Sequence, residues 1–192
     1  MDKFELINEL NNMVIYDDIE EVSRKDIIKA IELYDDIFTR SNHFMHITSS
    51  AWIVNQKLTK ILLGYHKIYQ SFSWIGGHND GEIDCLKVAK KEVKEESGLT
   101  NIKALSERIF SVDILPVGLH NRKGLIVNHH LHLNITYLIQ AQEAEQLVIK
   151  EDENEDLRWF DINEYESSVS EKLMISVYKK LNNKVKEGIW QY

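Results

Sequence analysis

Apolar and polar positions along the chain change rhythm near residue 46. Before that point the spacing predicts two short helices, over residues 1–13 and 24–38. In the second, Ile27, Ile28, Ile31 and Leu33–Tyr34 recur at roughly helical intervals, and Ser23 stands where an N-cap is needed. From His46 the period becomes two: His46, Thr48, Ser50 and Trp52 alternate with Ile47, Ser49, Ala51 and Ile53, as on a strand. A polar turn at 55–59 leads to a second strand at 60–66, so the pair reads as a hairpin. A glycine-rich loop follows at 73–81, then a helix over 84–97 that Gly98 closes as its C′ residue. Strands are predicted at 108–115, 130–140 and 157–160, the last behind an acidic loop, and a helical segment at 163–186. This order predicts an α/β (α+β) fold: a mixed sheet with helices on its faces. Residues 1–45 read as a helical extension packed on a main domain of 46–192.

Composition narrows the classes. With 8 Gly, 1 Pro and 43% hydrophobic residues, the chain is neither collagen-like nor of low complexity. The lone Cys85 excludes an internal disulfide or a cysteine-built zinc site. Neither a signal peptide nor a membrane-spanning run is visible, so a cytoplasmic protein is expected. The net charge of −8 is concentrated at 143–171, where eleven acids face two bases; the rest of the chain sums to about +1. Without a basic face, binding to duplex nucleic acid is not expected. A small anion held through metal ions remains open.

The segment 76–99, GGHNDGEIDCLKVAKKEVKEESGL, is the most informative. On a helical wheel Glu92, Glu95 and Glu96 fall within roughly 100°. Leu86, Ala89 and Val93 form a neighbouring apolar arc, and Lys87, Lys90, Lys91 and Lys94 take the far side. Solvent accounts for the basic arc. Three carboxylates at i, i+3 and i+4 repel one another, and hard divalent cations such as Mg²⁺ or Mn²⁺ relieve that repulsion. Glycines just ahead of the helix allow close approach of backbone to a phosphate or metal. A solvated acidic helix face is the bland alternative.

The segment resembles the box of the Nudix family, G-x5-E-x7-R-E-U-x-E-E-x-G-U with U aliphatic. Gly77 takes the first glycine, Glu92 and Val93 follow the basic position, and Glu95, Glu96, Gly98 and Leu99 match directly. Two positions depart from the pattern: Lys91 stands for the arginine, keeping charge without the bidentate fork, and Ile83 falls on the early glutamate, with Glu82 one residue too soon. In the family these two pair to fix the loop, so the loop is expected to be held differently here, with Glu82 able to substitute through a local shift. The likeness extends over about 46–164, through HITSSAWIV, KILLGYH, W-x-GGH-x-DG, DILPV and HHLHLNITY.

The resemblance implies a Nudix-like α/β/α sandwich and metal-dependent cleavage of a diphosphate joined to another group, often in a nucleoside diphosphate derivative. It implies Mg²⁺ or Mn²⁺ on Glu92, Glu95 and Glu96 with the Gly76 carbonyl, and a proton acceptor in Glu95 or in Glu153, six residues before Trp159 in the acidic loop. Expected substrate contacts are His130 and His132, which share a strand side with Asn134 and Thr136, together with Trp74 and Arg40. Tyr69, Phe72 and Trp74 are candidates for stacking on a base. His130 and His132 also have metal-ligand spacing, with no third ligand evident; His46 and His78 read as single structural histidines. A small diphosphate is the expected partner, with a homodimer as the protein–protein contact. Two rivals remain. One is a Nudix-like module that binds nucleotides without turnover. The other is an enzyme like isopentenyl diphosphate isomerase, which needs a cysteine where this chain has Gly76.

Overall fold

The computed structural model describes residues 1–67, 70–122, 124–150 and 154–191. Two helices come first. In α1 (Lys3–Asn12), Asp2 accepts from the Glu5 amide and Glu5 accepts from the Asp2 amide, both at 2.8 Å. In α2 (Asp18–Leu33) the cap is Asp17, which accepts from the Glu20 amide at 2.7 Å. The helix therefore starts well ahead of the expected Ser23, which lies buried inside it, and ends before 34–38. The reason is Glu20: a fully buried charged residue sits where the apolar pattern shows nothing, so the periodicity becomes visible only at Ile27.

The remaining elements are β1 (Met45–Asn55), β2 (Lys60–His66), β3 (Ser71–Ser73), β4 (Ile75–His78), α3 (Cys85–Ser97), β5 (Ile102–Ala104), β6 (Ser111–Val117), β7 (His120–Arg122), β8 (Leu125–Val127), β9 (His130–Ala141), β10 (Asn154–Asp161) and α4 (Lys172–Lys186). The helical segment expected at 163–186 is shorter: a 3-10 turn at Glu166–Ser168 precedes α4. The strand expected from 108 begins at Ser111, and that expected at 157 begins at Asn154. The glycine-rich loop is in part a strand, since β4 pairs antiparallel with β1 from Thr48↔His78 to Ala51↔Ile75.

One eight-stranded mixed sheet results, beside a separate two-stranded antiparallel sheet of β7 and β8. β1 and β9 run parallel side by side, from Met45↔Leu131 to Asn55↔Ala141. The free edge of β1 is shared by β4 and β2, and that of β9 by β6 and β5; β10 lies outside β2. β1 is buried at every position but its first, so its period of two separates two covered faces rather than core from solvent.

On one face, Ile47, Leu133, Ile135 and Tyr137 pack with Leu6 and Leu10 of α1, Ile27 and Ile31 of α2, and Cys85 and Ala89 of α3. Ala51 and Ile53 continue that face against Val93 and Leu99. On the other, Trp52, Val54 and Leu138 meet Tyr178 and Leu181 of α4, and the Trp52 indole donates to Asn182 Oδ1 at 3.1 Å. Among the described residues no helix is long and apolar enough to cross a membrane.

Candidate functional site

Helix α3 is capped by Asp84, which accepts from the Lys87 amide, and is closed by Gly98 at φ 71°. An L residue there would be strained, and its Cβ would lie 2.6 Å from Val148. Val93, Cys85 and Ala89 fix the rotation of the helix against the sheet. That rotation buries Glu92 (7% exposed) and Glu96 (4%), while Glu95 stays exposed.

Glu92 lies beneath β4: a Cβ on Gly77 would come within 2.7 Å of its carboxyl carbon. This close approach is the structural reason for the second glycine of the pair. Glu96 accepts from Asn154 Nδ2 of β10 at 2.8 Å. Sequence reasoning missed Asn154 because an asparagine in an acidic loop carries no signal; only the bulged pairing of β10 on β2 brings it to α3. Burial raises the pKa of Glu92, and the Glu95 charge adds to this, against the lowering effect of Lys91.

Lys91 is not on a purely solvated basic side, as the wheel suggested. Its ammonium lies 3.3 Å from Glu92 and 3.4 Å from Glu95. Glu82 does not take over the early-glutamate pairing. It accepts from the Ile83 and Asp84 amides and pairs with Lys87 at 2.5 Å. Ile83 packs into the core instead. The loop is further held by Asn79, buried at 4% exposure, whose Oδ1 accepts from Ser49 at 2.7 Å and whose Nδ2 donates to the Glu82 carbonyl at 2.8 Å. Cys85 is fully buried beside it, and burial pushes its thiol up to about 11. A thiol so placed is no proton shuttle to a substrate.

The other predicted residues that are described lie on β3, on β4, at Trp74 between these two, on β9 and at Arg40. Gly76 sits opposite Ser50, so tightly that a Cβ would lie 2.6 Å from the Ser49 carbonyl oxygen. Trp74 is given over to packing: its ring lies 5.6 Å from that of Tyr178, and its amide donates to the Tyr178 hydroxyl. Phe72 stacks edge-on with Tyr65 and Phe160. Arg40 forms a two-point ion pair with Asp80, at 2.7 and 2.5 Å. Asn134 and Thr136 are buried in a closed network with Thr48 and Ser50, with contacts of 2.9–3.0 Å. Glu153 and Tyr69 lie outside the described residues.

His130 and His132 do not stand alone. The parallel register puts His46 beside His132, and β4 brings His78 to the same place. Ring centroids of His46 lie 4.9–5.1 Å from those of His78, His130 and His132. Among the described residues, these histidines supply the one group of three or more potential ligands whose atoms all lie within 4.8 Å of one another: His46, His130 and His132. The two single histidines of the sequence reading are thus members of a cluster.

A family model described as the NUDIX domain matches residues 44–181. Solved structures share the fold at low identity. A Nudix hydrolase from M. smegmatis, RenU, superposes with a TM-score of 0.55 at 12% identity, over 74% of this chain and 86% of that one. A C. elegans Ap4A hydrolase binary complex gives 0.52 at 14%, over 73% and 98%. A UDP-X diphosphatase gives 0.52 at 15%, over 97% and 92%. No curated protein matches the chain by sequence.

Proposed function

The chain belongs to the Nudix family of hydrolases acting on phosphoric anhydrides, and on that premise we propose that it cleaves the diphosphate linkage of a nucleoside diphosphate derivative or a related small diphosphate with Mg²⁺ or Mn²⁺. The observation that carries this reading is the set of glutamates on α3, with Glu92 set beneath Gly77 and Glu96 tied to Asn154 of β10. All three offer hard carboxylate oxygens from one helix, which suits these cations, and the missing Cβ of Gly77 leaves Glu92 its place. Glu92, Glu95, Glu96 and the Gly76 carbonyl are the proposed ligands. When bound, such a cation neutralises the diphosphate and acidifies a water.

The chain's own residues then do the following. Glu92 and Glu96, packed against strands, hold a fixed position, so little reorganisation is needed at the moment of reaction. Glu95, exposed on α3, or Glu153 of the acidic loop takes the proton from the attacking water. Lys91 places a positive charge between Glu92 and Glu95, at 3.3 and 3.4 Å from them. Arg40, aligned by Asp80, is the proposed contact for an anionic group of the substrate.

The test is hydrolysis over a panel of nucleoside diphosphate derivatives, each with Mg²⁺, with Mn²⁺ and with chelator, beside Glu96→Gln. Turnover abolished by chelator and by the variant is the expected result; full turnover in Glu96→Gln overturns the assignment. One observation favours a second reading, a nucleotide-binding module: Lys91 already sits as a cation between two of the carboxylates. Tight nucleotide binding with no metal-dependent turnover across the panel would select it.

A further inference from the structure

Both parallel strands carry histidine at the same register and on the same face: His46 of β1 lies beside His132 of β9, and His130 lies one alternation further along. β4 adds His78, packed edge-on against His132 at 87°. This face points away from the glutamates. Along β4, Gly77 faces Glu92, and the next side chain, His78, projects to the opposite side.

The ring nitrogens are arranged for ligation. His46 Nδ1 lies 3.1 Å from the Asn42 carbonyl and His130 Nδ1 lies 2.8 Å from the Asn128 carbonyl. Each Nδ1–H donates there, which leaves the lone pair on Nε2. A hydrogen bond from the far nitrogen to a backbone carbonyl is the usual way a metal-binding imidazole is oriented. His46 is 4% exposed, and its Nε2 is buried with no hydrogen-bond partner among the described residues. An unmet polar atom of this kind is costly unless something occupies it. His130 Nε2 and His132 Nε2 are 3.2 Å apart. Two nitrogens bound tetrahedrally at ~2.0–2.1 Å from zinc stand roughly 3.3 Å apart. Burial is the largest cause that lowers the pKa of His46, His78 and His132. Uncharged imidazole is the ligating form.

We propose that His46, His130 and His132 form a binding site for a zinc-type divalent transition metal, separate from the glutamate site and open at a fourth position. Three imidazoles select such a metal over Mg²⁺, which demands oxygen. His78 walls the site from β4. The fourth position suits a water or an oxygen of a small anion, as in other three-ligand zinc sites. His130 and His132, expected as direct substrate contacts, are thereby metal ligands.

The experiment uses the full chain, stripped of metal with chelator and then titrated with Zn²⁺ and with Co²⁺ in excess Mg²⁺. One Zn²⁺ per chain and a visible Co²⁺ spectrum of tetrahedral intensity are expected. His46→Gln and His132→Gln should each weaken Zn²⁺ binding by more than about tenfold, the least expected even for losing an outer-shell partner, while Glu96→Gln leaves it unchanged. Absence of Zn²⁺ binding by the wild-type chain, binding kept in both histidine variants, or binding lost in Glu96→Gln overturns the proposal. Should a histidine variant fail to fold, as read by circular dichroism, X-ray absorption on the zinc-loaded wild-type protein decides: three imidazole ligands support the site, and two or fewer overturn it. Loss of this site would leave the carboxylate chemistry standing, and loss of turnover in Glu96→Gln would leave this site standing.

Discussion

The two faces of the sheet carry polar groups in opposite ways. On the α3 face the chemistry comes from one stretch of chain: Glu92, Glu95 and Glu96 lie on a single helix, and neighbouring strands only steady them. On the α4 face it comes from distant stretches. His46, His78, His130 and His132 belong to three strands, and the same face continues into a buried ionic cluster. There Lys180 lies 2.8 Å from Asp113, Lys184 lies 3.0 Å from Glu20, and Glu20 also accepts from Ser111 at 2.6 Å. A local motif keeps its layout so long as one helix folds. A dispersed one exists only when register, sheet order and both ends of the chain are right.

The largest effect expected on this contrast is structural. Lys184→Met leaves Glu20 buried and short of its main counter-charge, which should cost about 3–5 kcal/mol; chemical denaturation measures it, and a loss under about 1 kcal/mol would mean the cluster is not a support of that face. Glu96→Gln is the counterpart on the α3 face. Turnover should fall about a hundredfold to a thousandfold, since metal or dipolar stabilisation of this kind contributes several kcal/mol to the transition state, while the melting temperature barely moves. Equal damage to stability and activity would erase the distinction between the faces.

Asp113 gives a pH test. Burial first, against the opposing charge of Lys180, raises its carboxyl from 3.8 to about 6. The folded protein therefore holds that proton more tightly than the unfolded chain. The resulting stabilisation is complete below about pH 4 and is lost as pH rises through 6, by up to about 3 kcal/mol. Relative to Asp113→Asn, wild-type stability should fall across that window; a pH-independent difference would show that Lys180 holds Asp113 ionised throughout. The smallest effect belongs to Gly77→Ala. The three atoms nearest the new Cβ all belong to the Glu92 carboxylate, at the end of its side chain rather than in the backbone, so stability should change by less than about 1 kcal/mol. The displaced carboxylate should still lower turnover about tenfold or more, because small misplacements are costly to catalysis.

The same contrast explains what the sequence revealed. The helix with its three glutamates, its glycine stop and the mixed sheet were legible because each rests on spacing within a dozen residues. The start of α2 was not, since a buried Glu20 looks like a surface residue until its partner on α4 is known. Lys91 was assigned to solvent by the wheel alone, which cannot show a flexible ammonium reaching back to carboxylates on its own helix. The histidines were visible as residues but not as a group. His130 and His132 needed His46 as a third ligand, and only the parallel register of β1 with β9 supplies it.

The pairing of Glu20 with Lys184 spans 164 positions of chain. During synthesis, α2 leaves the ribosome with a carboxylate whose counter-ion has yet to be translated. Until α4 emerges, that charge is better solvated than buried, so α2 cannot settle fully on β6. The last long helix therefore acts as the latch of the fold. A nascent chain stalled before residue 184 should hold its N-terminal helices loosely, open to proteases that the finished protein resists.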